Sequence, residues 1–374
     1  MSSSSATKTN DLNINRIDFE VQSKLNLMER EYFEHRFIIL GGDLFLNNFK
    51  ILDAIKKFFA KLSNEIEMGD RTIAPLCIII NGPFTDVPFE ATSSTNSIST
   101  RISSSGIYKS LFDSLANILE KFPNISQRST LVFVPGDNDP WSSLVSKGSN
   151  SIWPRSKIPK IFVNRLNRVV KDIHWVSNPS NLIYLNHEIR IVRDDIGARL
   201  RRNDISYLSK YNKDEEGDEV EENGASADNA RKVTETLVDD LADEMENYDL
   251  EYNNLDNIND KDSLTIDKIS DAGKTKFSAD IIEARKIVKT ILDQGHLSPF
   301  QSSVRPTIWN QDQSLWLLPL PTLLILTDTT SPAFDVTYEG CHVINPGSFI
   351  NKNKITFIEY YPSSKKAELR SLYV

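Results

Sequence analysis

The regular alternation of apolar and polar positions begins at residue 36, where RFIILGGDLFL sets a short apolar run, Phe37 to Leu40, against two glycines and an acid. A buried strand delivering a loop to a site has this form, so Phe37 to Leu40 is predicted as a strand. Phe49, Ile51, Leu52, Ile55, Phe58, Phe59 and Leu62 then recur at three- and four-residue spacing. They predict an amphipathic helix ending near Met68 and Gly69. PLCIIINGPF predicts a second strand, and Ile107, Leu111, Phe112, Leu115, Ile118, Leu119 and Phe122 a second helix. Leu131 to Val134 follows as a third strand. Apolar strands that alternate with helices cannot face water on either side. The order therefore predicts an α/β fold with a largely parallel or mixed sheet under packed helices.

Gly136 to Pro159 has little periodicity and reads as a long ordered loop, followed by a helix from about Lys160 to Ile173. LIYLNHEIRIVR predicts a hairpin whose second arm alternates apolar and polar residues. IIEARKIVKTIL predicts a helix capped by Ser278 and stopped at Gly295. SLWLLPLPTLLILTD, HVINPGSF and KITFIEYYP supply closing strands, and so many late strands predict a second sheet packed on the first. The expected organisation is a disordered tail and helical lead-in over 1–35 and one domain over 36–374. That domain carries a polar insert at 91–106 and an acidic disordered insert at about 203–275.

Charge sharpens that division. The formal net charge is −9, yet residues 211 to 260 hold 18 acidic and 3 basic residues, which leaves 34 acidic against 40 basic elsewhere. Such a block cannot bury enough apolar surface to offset its ordering entropy, so it is expected to be mobile. The folded body is mildly basic, without the stripe that direct DNA binding uses. No apolar run approaches eighteen residues and MSSSSATKTNDLN has no apolar core, so neither a membrane span nor a secretory signal is predicted. Cys77 and Cys341 lie in apolar segments and read as buried free thiols of a reducing compartment. Five scattered histidines (His35, His174, His187, His296, His342) show no zinc-ligand spacing.

The polar loops fall at the C-terminal ends of predicted strands, where sites in α/β sheets form. In order they are Gly42-Asp43-Leu44-Phe45, Gly82-Pro83-Phe84-Thr85-Asp86, Gly136-Asp137-Asn138-Asp139, Gly295-His296, Thr327-Asp328-Thr329-Thr330 and Asn345-Pro346-Gly347-Ser348. This order resembles the calcineurin-like metallophosphoesterases over roughly residues 36 to 362. The family's strand ends carry D-x-H, G-D-x-x-D, G-N-H-D/E, a further histidine and G-H-x-H, and then N-P-G-S. Its chemistry needs two cations bridged by one carboxylate. By that resemblance Asp43 matches the first acid, but Phe45 stands at its histidine and Pro83 at the bridging aspartate. Asp86 matches only the second motif's last acid. Asp137 replaces the ligating asparagine, and Asn138 the histidine that would protonate a leaving group, which an amide cannot do. His296 matches the fourth-motif histidine, while Asp328 and Thr330 occupy the two final histidine positions. The resemblance thus implies a degenerate metal site with no catalytic residues, no metal and no cofactor.

Inactive members of that family include the B subunits of the eukaryotic replicative DNA polymerases. FVPGDNDPW with WPRSKIP, ILDQGHLSPF, LLILTDTTSPAF and HVINPGSF with FIEYYPSSKKAELR are similar to the epsilon branch. The resemblance implies a nuclear scaffold subunit that binds the C-terminal region of the epsilon catalytic subunit. DNA would be met as part of that complex, with weak direct binding and no membrane. Family members also carry an N-terminal helical domain and an oligonucleotide-binding-type barrel; residues 1 to 35 hold no strands for one, so contacts made through those domains are not carried over. The competing readings are an active metal-dependent phosphoesterase or exonuclease, the B subunit of another replicative polymerase, and a stand-alone nucleic-acid-binding module.

Other positions stay open at this level. Asp43 and Asp137 also fit plain loop residues bonded to backbone N–H groups, and His296 a residue that packs the turn after its helix. Arg190, Arg193, Arg199, Arg201 and Arg202 fit either phosphate contact or a surface ion-pair face with Asp194 and Asp195. Trp141, Trp153 and Pro154 fit partner contact or internal packing. TETLVDDLADEM shows a helical face of Leu237, Leu241 and Met245 that a partner would have to hold.

Overall fold

A computed structural model describes residues 19–68, 74–89, 104–140, 152–203 and 279–373. It divides into two compact units, residues 1–197 with 291–374, and residues 198–290. Both sheets belong to the first. The acidic tract and most of the polar insert lie outside the described residues, as do Ser278 and Trp141.

The first sheet is built on β1 (Phe37–Leu40), β2 (Cys77–Asn81), β3 (Thr130–Val134) and β4 (Ile173–Trp175), all parallel. It continues on the other side of β1 through antiparallel β11 (Lys354–Tyr361), with β10 (Ile350–Asn351) and β12 (Lys366–Tyr373) also paired to β11. The second sheet runs β5 (Ser180–Tyr184), β6 (His187–Arg193), β7 (Leu323–Thr327), β9 (Cys341–Asn345) and β8 (Phe334–Tyr338), with β6, β7 and β9 parallel. Two mixed sheets flanked by helices is the α/β architecture the sequence resemblance implied.

The period-two alternation of strand side chains divides the core. Phe37, Ile39, Cys77, Ile79, Val132 and Val134 pack toward Ile189, Ile191, Leu323, Ile325 and Ile344 of the second sheet. Ile38, Leu40, Ile78, Ile80, Leu131 and Phe133 face the opposite way, onto the helices. There α2 (Phe49–Glu67) buries Ile51, Ile55, Phe58, Phe59 and Leu62, the predicted stripe, and its Asn48 cap accepts the Lys50 N–H at 3.0 Å. Helix α3 (Ser104–Leu119) buries Tyr108, Phe112 and Leu115, so it begins two residues before the end of the polar tract. Cys77 and Cys341 are buried free thiols, with burial raising each pKa to about 12.

Two elements differ from the sequence expectation. The helix predicted over 160–173 is two single turns, α5 (Lys160–Val163) and α6 (Leu166–Val169), after which the chain extends at Val170. Ile173 then pairs with Leu131, so sheet pairing overrides the helical pattern. In SLWLLPLPTLLILTD only Leu323–Thr327 is strand; before it lies a 3-10 helix, Trp309–Leu315. The lead-in forms α1 (Phe19–Glu31) and is tied to the domain, with Glu29 2.6 Å from buried His187. The remaining described α-helices are α4 (Pro123–Ser126) before β3, α7 (Ile196–Arg202) after β6, and α8 (Ala279–Gln294). Of the second unit's described residues, Arg201 pairs with Glu283.

Candidate functional site

The loops that leave β1, β2, β3, β6, β7 and β9 meet at one end of the two sheets, and glycines let them approach. A Cβ on Gly41 would stand 2.5 Å from the Phe349 nitrogen, and one on Gly136 2.3 Å from the Pro83 nitrogen. Both are distances real Cβ atoms do not reach, so the β1 loop lies on the β9 loop and the β3 loop on the β2 loop. Asn345 locks the last of these turns. Its Oδ1 accepts the N–H groups of Asp328 (3.1 Å) and Gly347 (3.0 Å), while its Nδ2 donates to the Asp328 and Pro332 carbonyls.

Two buried guanidinium groups hold acids of these loops, beside a third, Arg155, that donates to the Asp139 carbonyl. Arg193, the last residue of β6, is 5% exposed and donates Nη2 to Asp43 Oδ1 (2.6 Å), Nη1 to Asp195 Oδ1 (2.8 Å) and Nε to the Gly82 carbonyl (2.7 Å). A Cβ on Gly42 would lie 2.9 Å from that Nε, so the glycine makes the arginine's seat. Burial alone would lower the Arg193 pKa, but the carboxylates of Asp195 and Asp43 outweigh it and the net shift is upward. Asp195 moves below its ordinary value: burial opposes this, and Arg193 and the Thr329 donors prevail.

Arg305 is the second. It grips Asp137 through two parallel bonds of 2.9 Å, reaches Asp194 at 3.1 Å and stacks 4.6 Å over the ring of Trp153, itself fully buried. Two-pronged pairing of this kind is specific to the planar guanidinium. Of the acids at aligned ligand positions, Asp43, which matches the family's acid, and Asp137, which stands at its asparagine, are therefore each held by a fixed cation of the chain itself.

The other aligned positions serve the scaffold. The Phe45 ring packs against the helical core. Pro83 is buried, and its peptide bond to Gly82 is cis. Asn138 donates its amide to the carbonyls of Thr85 (3.0 Å) and Asp86 (3.1 Å), fastening the β3 loop to the β2 loop. Asp328 is 2% exposed and accepts from the backbone N–H groups of Gly197 (2.7 Å) and Thr330 (2.8 Å) and from the hydroxyls of Thr330 (2.6 Å) and Ser331 (2.9 Å). His296 accepts the Ser298 N–H at Nδ1 (3.0 Å) and faces Asp312. Among the described residues no group of three or more His, Cys, Asp or Glu side chains is placed to hold a metal. The donor set does not fit a pair of bridged cations: the bridging position has no side-chain oxygen, and cationic nitrogens already occupy the carboxylates.

Asp139, not singled out in the sequence, anchors the β2–β3 junction. Its buried carboxylate accepts the N–H groups of Gly136 (2.7 Å) and Phe84 (3.0 Å) and the Tyr108 hydroxyl (2.9 Å). Burial pushes this carboxyl up to about 6 against those donors and the charge of Arg155. Arg193 was legible in HEIRIVR, because its parity with Ile189 and Ile191 puts it on the inner face. A surface ion-pair face was the wrong expectation there; the pairs exist, but inside. Arg305 has no periodic neighbours to reveal it. Trp153 packs internally, which settles its two readings.

Fold and loops together define a two-sheet α/β protein with a phosphoesterase-like order of strand-end loops. The family model describing the B subunit of DNA polymerases alpha and epsilon matches residues 38–336, and the chain belongs to that family. It is 38% identical over 362 residues to the DNA polymerase epsilon B subunit of Saccharomyces cerevisiae, covering 96% of this chain and 46% of the relative. The same comparison with the Debaryomyces hansenii protein of that name gives 38% over 372 residues, 98% of this chain and 50% of the relative. Homo sapiens DNA polymerase epsilon subunit 2 is 26% identical over 349 residues, 93% of this chain and 48% of the relative. The chain spans about half the length of the curated relatives it matches. The epsilon resemblance of the third-loop and GHLSPF strings is thus borne out. Among solved structures an archaeal phosphodiesterase covers 90% of this chain and 99% of its own at 9% identity and a TM-score of 0.32, too low to support an argument.

Proposed function

We propose that this chain is a non-catalytic scaffold subunit of the DNA polymerase epsilon complex. In this reading it binds the C-terminal region of the catalytic subunit in the nucleus and meets DNA mainly as part of that assembly. One observation carries the non-catalytic part: Arg193 and Arg305 neutralise Asp43 and Asp137, the acids at the first- and third-motif positions of the degenerate metal site. A fixed guanidinium supplies positive charge without an exchangeable water, so no metal-bound hydroxide can form there. The loops keep their glycines and their close contacts while the chemical groups are replaced at Phe45, Pro83, Asn138, Asp328 and Thr330. Retained shape without retained chemistry fits a binding role, and the epsilon relatives give that role its complex.

Affinity purification of the chain from its own cells, followed by mass spectrometry and elemental analysis, tests this. The expected result is stoichiometric recovery of the epsilon catalytic chain and no stoichiometric manganese or zinc. An epsilon complex purified without this chain would overturn the scaffold reading. Stoichiometric metal together with hydrolysis of a phosphodiester, abolished by Asp43→Ala, would restore the enzyme reading.

A further inference from the structure

The positive charge of the folded body is unevenly placed. Residues 156–171 carry five cations, Lys157, Lys160, Arg165, Arg168 and Lys171, and no acid. Residues 120–128 add Lys121 and Arg128 against the single acid Glu120. All seven cations are exposed.

The fold joins the two segments into one surface. The single turns α5 and α6 bury Phe162, Val163 and Leu166, which leaves Lys160, Arg165 and Arg168 on their outer side. Helix α4 buries Ile125 and Ser126 in the same way, and Arg128 just after it reaches water. Between the segments the Lys171 N–H donates to the Ser126 carbonyl (3.0 Å) and the Gln127 amide to the Val169 carbonyl (3.1 Å), while Arg165 pairs with Glu120 at 3.3 Å. No stripe of charge marks this surface in the sequence, because β3 and the loop after it lie between its two halves.

Among the described residues, Arg165 is the one cation of the seven with a carboxylate partner. The bordering acids do not cancel the rest. Glu67 accepts the Asn124 amide (2.7 Å), Asp172 accepts the Thr130 hydroxyl (2.6 Å) and faces His174 (3.2 Å), and Asp113 lies one turn of α3 from Lys109. With these counted, eight cations stand against four carboxylates. Like charges gathered in this way repel one another and weaken the compact state, and a polyanion relieves that repulsion. The surface also lacks the anchors of a protein interface. Its one large exposed apolar side chain is Ile161, and none of its described aromatic rings is exposed. A polypeptide would find no central pocket or ring here, and single-stranded DNA nothing on which to stack a base. Duplex DNA needs neither, since it presents a negative charge about every 1.7 Å of its axis to any group of free cations.

We infer that the surface carrying Lys121, Arg128, Lys160, Arg165, Arg168 and Lys171 binds the phosphate backbone of duplex DNA directly and without base readout. This contact goes beyond the scaffold role and does not depend on it: the DNA titration below and the co-purification above fail separately.

The test is fluorescence anisotropy of a labelled DNA duplex of mixed sequence, titrated with the full chain over a range of salt. Wild type should bind, with log K falling linearly against log salt. Lys160→Ala/Arg168→Ala/Lys171→Ala is expected to weaken binding about tenfold or more at about 0.1 M salt and to flatten that slope by about 3, close to one for each cation removed. Its melting temperature should equal or exceed that of wild type, because repulsion is relieved and no side-chain bond is lost. Lys286→Ala/Lys289→Ala/Lys366→Ala removes the same charge elsewhere and should bind as wild type does. Absent or salt-independent binding by the wild-type chain would overturn the assignment, and equal weakening in both triple variants would overturn its location. A melting temperature several degrees below wild type in the first variant would make those side chains structural. Displacement by polyglutamate as effective as by unlabelled duplex at matched charge would make the surface a site for acidic polypeptide instead.

Discussion

Arg193→Met removes the guanidinium from the site while keeping a stem of similar reach, and it tests whether that cation holds the strand-end loops together. The wild-type group engages Asp43 at 2.6 Å, Asp195 at 2.8 Å and the Gly82 carbonyl at 2.7 Å. Taking one partner from a buried ion pair costs about 3–5 kcal/mol, because the other charge is left without compensation. Here the Asp43 and Asp195 side chains are 28% and 39% exposed, so water replaces part of what is lost. The lower end, about 3 kcal/mol, is therefore expected, or roughly 4 °C in melting temperature for a chain of this size. Asp43→Asn/Arg193→Met should cost less than the sum of the two single changes, since the pair is coupled. The pH dependence has a definite sign. Asp195 is lowered from its ordinary 3.8, so its contribution is present above that pH and lost as pH falls through the lower folded value. The gap between wild type and Arg193→Met should accordingly narrow below about pH 4. Thermal melts by circular dichroism at pH 7 and pH 3.5 measure both quantities. A variant that melts within 1 °C of wild type at pH 7, or an equal gap at both pH values, would refute the role given to this arginine.

Three further outcomes are expected. Gly136→Ala places a Cβ 2.3 Å from the Pro83 nitrogen, a backbone atom that cannot swing aside, so the soluble yield should collapse or the melt fall by more than for Arg193→Met. Tyr108→Phe takes one of three donors from the Asp139 carboxylate and should cost about 1–3 kcal/mol at pH 8. Because the Asp139 pKa is raised from 3.8 to about 6, the stability it contributes is full at low pH and lost as pH rises through 6, where the carboxylate forms; the Tyr108→Phe deficit should therefore shrink in melts at pH 5. EDTA should leave the wild-type melting temperature unchanged, because the charges on Asp43 and Asp137 are met by arginine; a chelator-induced drop of several degrees would contradict this.

Much of the scaffold was written in local pattern. The runs at Phe37–Leu40, Cys77–Asn81 and Thr130–Val134 are apolar on both faces because each lies between the helices and the second sheet. The stripe of Ile51, Ile55, Phe58, Phe59 and Leu62 has helical spacing for the same reason. The strand-end glycines and acids kept their order along the chain, and that order led to the family. Strand β4 was not legible: Ile173–Trp175 is a strand only because β3 lies alongside to pair with it. On the proposed reading, the sequence by itself determined which side chains stand where the resemblance expects ligands, since Phe45, Pro83 and Asn138 cannot ligate or protonate as it requires. Tertiary structure alone decided what replaced them. Arg193 lies 150 residues from Asp43, and Arg305 168 from Asp137, and no local periodicity encodes a contact across such separations. Those pairs exist because the two sheets bring the ends of β6, β1 and β3 together with the loop that carries Arg305.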